Sequence, residues 1–108
     1  MSYDISLIKK IGNVSTEIFS VNITSNVRSM YNAAFNTDYW VDLVDDQLCK
    51  HVKDRVSRAV KRMKDKESKI RQFEPANGWG KYEDALRVLT EFNEAVKEFP
   101  ECTIQILK

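Results

Sequence analysis

The chain has 108 residues, 43% of them hydrophobic and 10% aromatic, which fits one domain with one modest core and excludes a mainly disordered chain. Lys and Arg total 17 and Asp and Glu total 16, so the formal net charge is +1 and the chain is not basic or acidic all over. Cys49 and Cys102 form no CxxC pair and, with the single His51, cannot make a standard zinc site, so two reduced, buried thiols are expected.

Residues 3–9 alternate, with Tyr3, Ile5 and Leu7 on one face and Asp4 and Ser6 on the other, the pattern of a half-buried strand. Gly12-Asn13 marks a turn, and residues 16–23 alternate again around Phe19, Val21 and Ile23. The two segments read as a β-hairpin with a loop longer than two residues. At Thr24-Ser25-Asn26 the period changes, and these side chains can accept hydrogen bonds from the free N–H groups of a first helical turn. Val27, Met30, Tyr31 and Ala34 follow at helical spacing, for a short helix to about Phe35. Tyr39, Trp40, Leu43 and Val44 predict a further helical turn packed on the core.

Asp45 or Asp46 is expected to cap the next helix, residues 46–65, whose apolar stripe is Leu48, Val52, Val56, Ala59, Val60 and Met63. Lys66-Glu67-Ser68 predicts a kink, Ile70 and Phe73 a further turn or two, and Pro75 an end. Asn77-Gly78-Trp79-Gly80 is the sharpest loop, and its Trp79 is expected to pin it to the core, with exposure for recognition as the alternative. A last helix from about Lys81 to Phe99 presents Tyr82, Ala85, Leu86, Leu89, Phe92, Asn93 and Val96. Residues 102–107 form a strand with Cys102, Ile104 and Ile106 on one face. The fold class is α+β, order β-β-α-(α)-α-α-β. A single domain over 1–108 packs a small antiparallel sheet, with the last strand beside the first, on three to four helices.

Charge is segregated along this chain. Residues 47–71 hold ten basic side chains (Lys50, Lys53, Arg55, Arg58, Lys61, Arg62, Lys64, Lys66, Lys69 and Arg71) against Asp54, Asp65 and Glu67, so the segment is +7 and the remainder −6. At 100° per residue these charges wrap round everything outside the apolar stripe, as a solvated face would. They are also the residue types that lie along phosphates or acidic protein surfaces. The candidate binding residues are Lys50, Lys53, Arg58, Lys61, Arg62, Lys64 and Lys69, with Trp79.

Asp38, Asp42, Asp45 and Asp46 lack the glycine and closing Glu of a calcium loop, so they read as caps and dipole partners rather than a metal site. His51 lies two residues from Cys49, a spacing that does not face on a helix, and reads as a surface histidine. No GxxxxGK, GxGxxG or GxSxG pattern occurs, and neither catalysis nor a cofactor is expected. The N-terminus shows no signal-peptide pattern and no apolar run nears the ~20 residues of a membrane span, so a cytoplasmic setting without membrane contact is expected.

Several stretches taken together resemble a known group. They are Tyr3-Asp4-Ile5-Ser6-Leu7, Asn22-Ile23-Thr24-Ser25-Asn26-Val27 with Met30, Asn77-Gly78-Trp79-Gly80 with Tyr82-Glu83 and Ala85-Leu86, and Pro100-Glu101-Cys102-Thr103-Ile104-Gln105-Ile106. In this order they resemble small bacteriophage and prophage proteins of no established activity. The resemblance implies a mobile genetic element acting in a bacterial host and transfers no site residue. The expected function is non-enzymatic binding to a host or phage protein, as an inhibitor of a nuclease or defence complex. The surface would join the basic helix to the Trp79 loop. Binding of DNA or RNA by that helix is the alternative, and a self-assembling structural component, for example a homodimer, is a third.

Overall fold

The computed structural model describes residues 1–108. Strand β1 (Ser2–Ile11) pairs antiparallel with β2 (Val14–Thr24) on one side and with β3 (Thr103–Leu107) on the other, in the order β2-β1-β3. Tyr3, Ile5, Leu7, Ile23, Ile104 and Ile106 are buried on one sheet face against the helices. The β1–β2 connection is the two-residue turn Gly12-Asn13, not a longer loop. Gly12 takes φ +60°, the positive value that a II′ hairpin turn needs at its first central residue. The strand ends were hidden in the sequence because the hairpin tip leaves the core, and Lys9 to Ser15 carry no buried side chain. Ile18 is a bulge, since Leu7 faces Phe19 while Ile8 faces Glu17.

Five helices follow: α1 (Arg28–Phe35), α2 (Val41–Val44), α3 (Cys49–Asp65), α4 (Glu67–Ile70) and α5 (Tyr82–Glu98). A 3₁₀ turn, Ser25–Val27, precedes α1, and the Thr24 hydroxyl accepts from the Asn26 N–H there. Asn36 ends α1 in the left-handed region, at φ 54°. The expected kink falls at Lys66 and splits off α4, which a 3₁₀ turn, Arg71–Phe73, extends.

The core is one cluster whose largest fully buried side chain is Trp40. Its ring meets Tyr3 and Tyr31 edge-on, both at 5.1 Å, and stacks near Phe35 at 6.0 Å. The Tyr31 hydroxyl donates to the Ala85 carbonyl at 2.8 Å and the Tyr82 hydroxyl to the Met63 carbonyl at 2.6 Å. These two bonds tie α1 to α5 and α5 to α3, and they satisfy phenols that burial would otherwise penalise.

Asp45 and Asp46 do not cap α3. Leu48 is its N-cap residue, and helix formation waits until Cys49. The Asp45–Leu48 segment runs along the outer edge of β3 instead. There the Ile104 N–H donates to the Gln47 carbonyl, the Asp46 N–H to the Ile104 carbonyl, and the Ile106 N–H to Asp45 Oδ1, each at 2.8 Å. Backbone groups that would otherwise template another strand are thereby closed off.

Candidate functional site: a basic furrow

Helix α3 buries Cys49, Val52, Val56, Ala59, Val60 and Met63, which leaves its cations on the remaining surface. Their neighbours then separate them. Lys50 pairs with Glu101 at 3.4 Å, and Lys61 pairs with Asp65 one turn on. Arg71 is fully committed: Nε meets Glu67 at 2.7 Å, Nη2 meets Glu83 at 2.5 Å, and the guanidinium lies 4.3 Å over the Tyr82 ring. Those contacts hold the Glu83 carboxyl below its ordinary pKa, with the hydrogen bond from Arg71 the largest cause. Lys53, Arg58, Arg62, Lys64, Lys66 and Lys69 have no carboxylate within ion-pair distance.

Four of these six share a furrow. Arg58, Lys61, Arg62 and Lys66, with Asp65, line a hollow of about 210 Å³. Arg62, Lys66 and Lys69, with Ala33, Asn36, Ile70 and Phe73, line another of about 300 Å³. The second continues past Phe73 into a polar hollow of about 410 Å³ lined by Ser29, Asn32, Thr37 and Asp38. Arg62 is oriented by its partner. Its Nη1 donates to the Ala34 carbonyl at 2.5 Å, in the last turn of α1, where unpaired carbonyls and the helix dipole favour a cation. Arg55 does the same for the Leu43 carbonyl of α2 at 3.3 Å.

Lys50, Lys53 and Lys64 line none of these hollows. Trp79 is not a core anchor either: it is 69% exposed. Its loop is held by local bonds, the Trp79 N–H to Asn77 Oδ1 at 2.9 Å and the Tyr82 N–H to Glu74 Oε2 at 2.7 Å, so it does not need the indole as a pin. Trp79 faces a separate groove of about 290 Å³ beside Asn22, Ile23, Thr24, Asp84 and Arg87, where no side chain of α3 takes part. The expected single surface of basic helix plus Trp79 is therefore two surfaces.

The aromatic of the furrow is Phe73, 45% exposed, where the sequence predicts a further turn or two after the kink. The signal was Pro75, which biases Glu74 towards the extended region it adopts, so that the segment ends in the 3₁₀ turn Arg71–Phe73 rather than in a longer helix.

The thiols do not form a nucleophilic site. Both are free and buried. Burial, with Cys102 close by, pushes the Cys49 thiol up to about 12, and burial raises Cys102 as well. The Cys49 N–H donates to the Cys102 carbonyl at 2.9 Å, so this pair closes the junction of α3 with β3. His51 is exposed on α3. No family model, curated protein or solved structure matches the chain. No helix is long and apolar enough to cross a membrane.

Proposed function

We propose that this is a non-enzymatic binding protein whose furrow takes an acidic segment of another protein. The observation that carries the reading is the grouping of Arg62, Lys66 and Lys69, none paired with a carboxylate, round the half-exposed Phe73 and the apolar Ala33 and Ile70, with the unpaired Arg58 in the adjoining hollow. Cations round an aromatic suit a peptide that offers carboxylates and one apolar side chain. Asp65 interrupts the cations of the first hollow, where it pairs with Lys61, and Asp38 lines the polar hollow beyond Phe73. That limits the cationic stretch to a few charges, shorter than a run of phosphates would use. The resemblance to phage proteins supplies a setting in which the partner is a host or phage protein, and an inhibitory role follows if the bound segment belongs to a nuclease or defence complex.

The test is a titration of ¹⁵N-labelled protein with a synthetic Glu-rich peptide containing one Leu, beside a mixed-sequence oligonucleotide. Peptide-induced shifts centred on the amides of residues 58–73 support the reading. It is overturned if those amides do not move. It is also overturned if the oligonucleotide binds more tightly with a steep salt dependence, which makes the basic face a nucleic-acid surface.

A further inference from the structure

The two edges of the sheet are treated differently. The amides of Ile104 and Ile106 point outward from β3 and are closed by Asp45–Leu48. Alternation then fixes the rest. Thr103, Gln105 and Leu107 bond inward to β1 at Ile8, Ser6 and Asp4, so Tyr3, Ile5 and Leu7 bond to β2 at Ile23, Val21 and Phe19. The N–H and C=O groups of Ser20 and Asn22 therefore point away from the sheet, and no turn, loop or cap reaches them. Strand β2 has 11 residues, no proline, and Glu17 as its one charge. Glu17 is turned onto the sheet by a 2.9 Å bond from the Ser6 hydroxyl, so no like charges would oppose pairing along this edge.

Exposed apolar side chains stand at both ends of the same edge. At the hairpin tip are Ile11, 68% exposed, and Val14, 64% exposed. They face each other in the register and fall on the same side of the sheet as Leu7 and Phe19, the side of the helices. At the other end is Trp79, across its groove from Asn22 and Thr24.

We propose that β2 pairs antiparallel with β2 of a second copy, about a two-fold axis near Val21, to give a six-stranded sheet. An antiparallel two-fold brings the tip end of one edge to the Trp79 end of the other. Phe19 of each copy then faces Ile23 of the other, and Val21 faces its own equivalent, so every helix-side residue stays on the helix side. Each tip reaches past Thr24 of the other copy and covers its Trp79. A second copy pairs Ser20 and Asn22 and in the same step brings the exposed Ile11 and Val14 towards the exposed Trp79, which is why a second copy is the occupant. The argument does not depend on the furrow.

Sedimentation equilibrium of the full chain over a wide concentration range tests this. A dimer is expected. Ser20→Pro, which removes an outward N–H, should give a monomer, and Val14→Lys and Trp79→Ser should each weaken dimerisation by about tenfold or more. Val14 and Trp79 are exposed, so those two variants keep the fold even where the proline does not. A wild-type chain that stays monomeric to its solubility limit overturns the proposal. So does a dimer that survives both Val14→Lys and Trp79→Ser unchanged.

Discussion

Asp45 Oδ1 accepts the backbone N–H of Ile106 at 2.8 Å, across 61 residues of chain. The bond places a carboxylate against the edge of β3, at the position where the next strand of a larger sheet would add. In the same segment, Leu48 forms an isolated bridge with Thr103 just before α3 begins. Sheet closure and the approach to α3 therefore share one segment. Asp45→Ala should destabilise the fold by about 1–3 kcal/mol, since Ile106 keeps an unpaired amide, and Asp45→Asn, which keeps an acceptor, should cost less. Urea denaturation of the two variants checks the order.

The buried thiols make stability depend on alkaline pH. An unfolded cysteine ionises near 9, whereas the folded Cys49 thiol ionises at about 12. Between those values the unfolded chain has released a proton that the folded one retains, so ν_U is smaller than ν_N and stability falls as pH rises. The Cys49 contribution should be level well below pH 9 and decline from there towards 12. Cys49→Ala should make that decline shallower, with Cys102 and the buried tyrosines Tyr3, Tyr31 and Tyr82 carrying the remainder, read from denaturation midpoints at stepped pH. Native Cys49 should also react slowly with a thiol reagent until the chain unfolds.

The loop glycines differ in what surrounds them. Gly78 and Gly80 both have positive φ, but a Cβ on Gly78 would meet open space. A Cβ on Gly80 would lie 3.3 Å from Asn26 Cβ, 3.3 Å from Thr24 Cγ2 and 3.4 Å from Val27 Cγ1. Gly80→Ala should therefore cost about 1–3 kcal/mol and Gly78→Ala less, measured by thermal unfolding.

Arg71 joins Glu67 of α4 to Glu83 of α5. Carbon-detected NMR titration should find the Glu83 midpoint below the ordinary carboxylate value, and Arg71→Gln should return it towards that value. Both partners are exposed, so the substitution should have little effect on stability at neutral pH.

Much of the fold was legible because burial writes a period into the chain. Tyr3, Ile5 and Leu7 alternate because one sheet face is covered, and Val52, Val56, Ala59, Val60 and Met63 repeat because one helix face is. Where burial stops, so does the signal. The hairpin tip read as loop because Lys9 to Ser15 pack on nothing. Asp45 read as a helix cap because its residue type suits that role, while its actual partner lies in β3. The basic helix was plain from composition, but not which cations lie together. Arg62 is aimed by the Ala34 carbonyl, Arg71 is consumed by Glu67 and Glu83, and Trp79 stands over a different groove. Each of these depends on contacts between residues far apart in the chain or on different elements, and spacing along one helix does not encode them.

The most direct measurement of the central claim is the affinity of charge-reversed pairs for the Glu-rich peptide at ~100 mM salt, where surface charges beyond about 10 Å are largely screened. Arg58→Glu with Lys69→Glu, both at the furrow, should lower affinity about tenfold or more. Lys53→Glu with Lys64→Glu, equal in charge but outside it, should change affinity little. Equal losses from the two pairs, or no loss from the first, would contradict a defined site in the furrow.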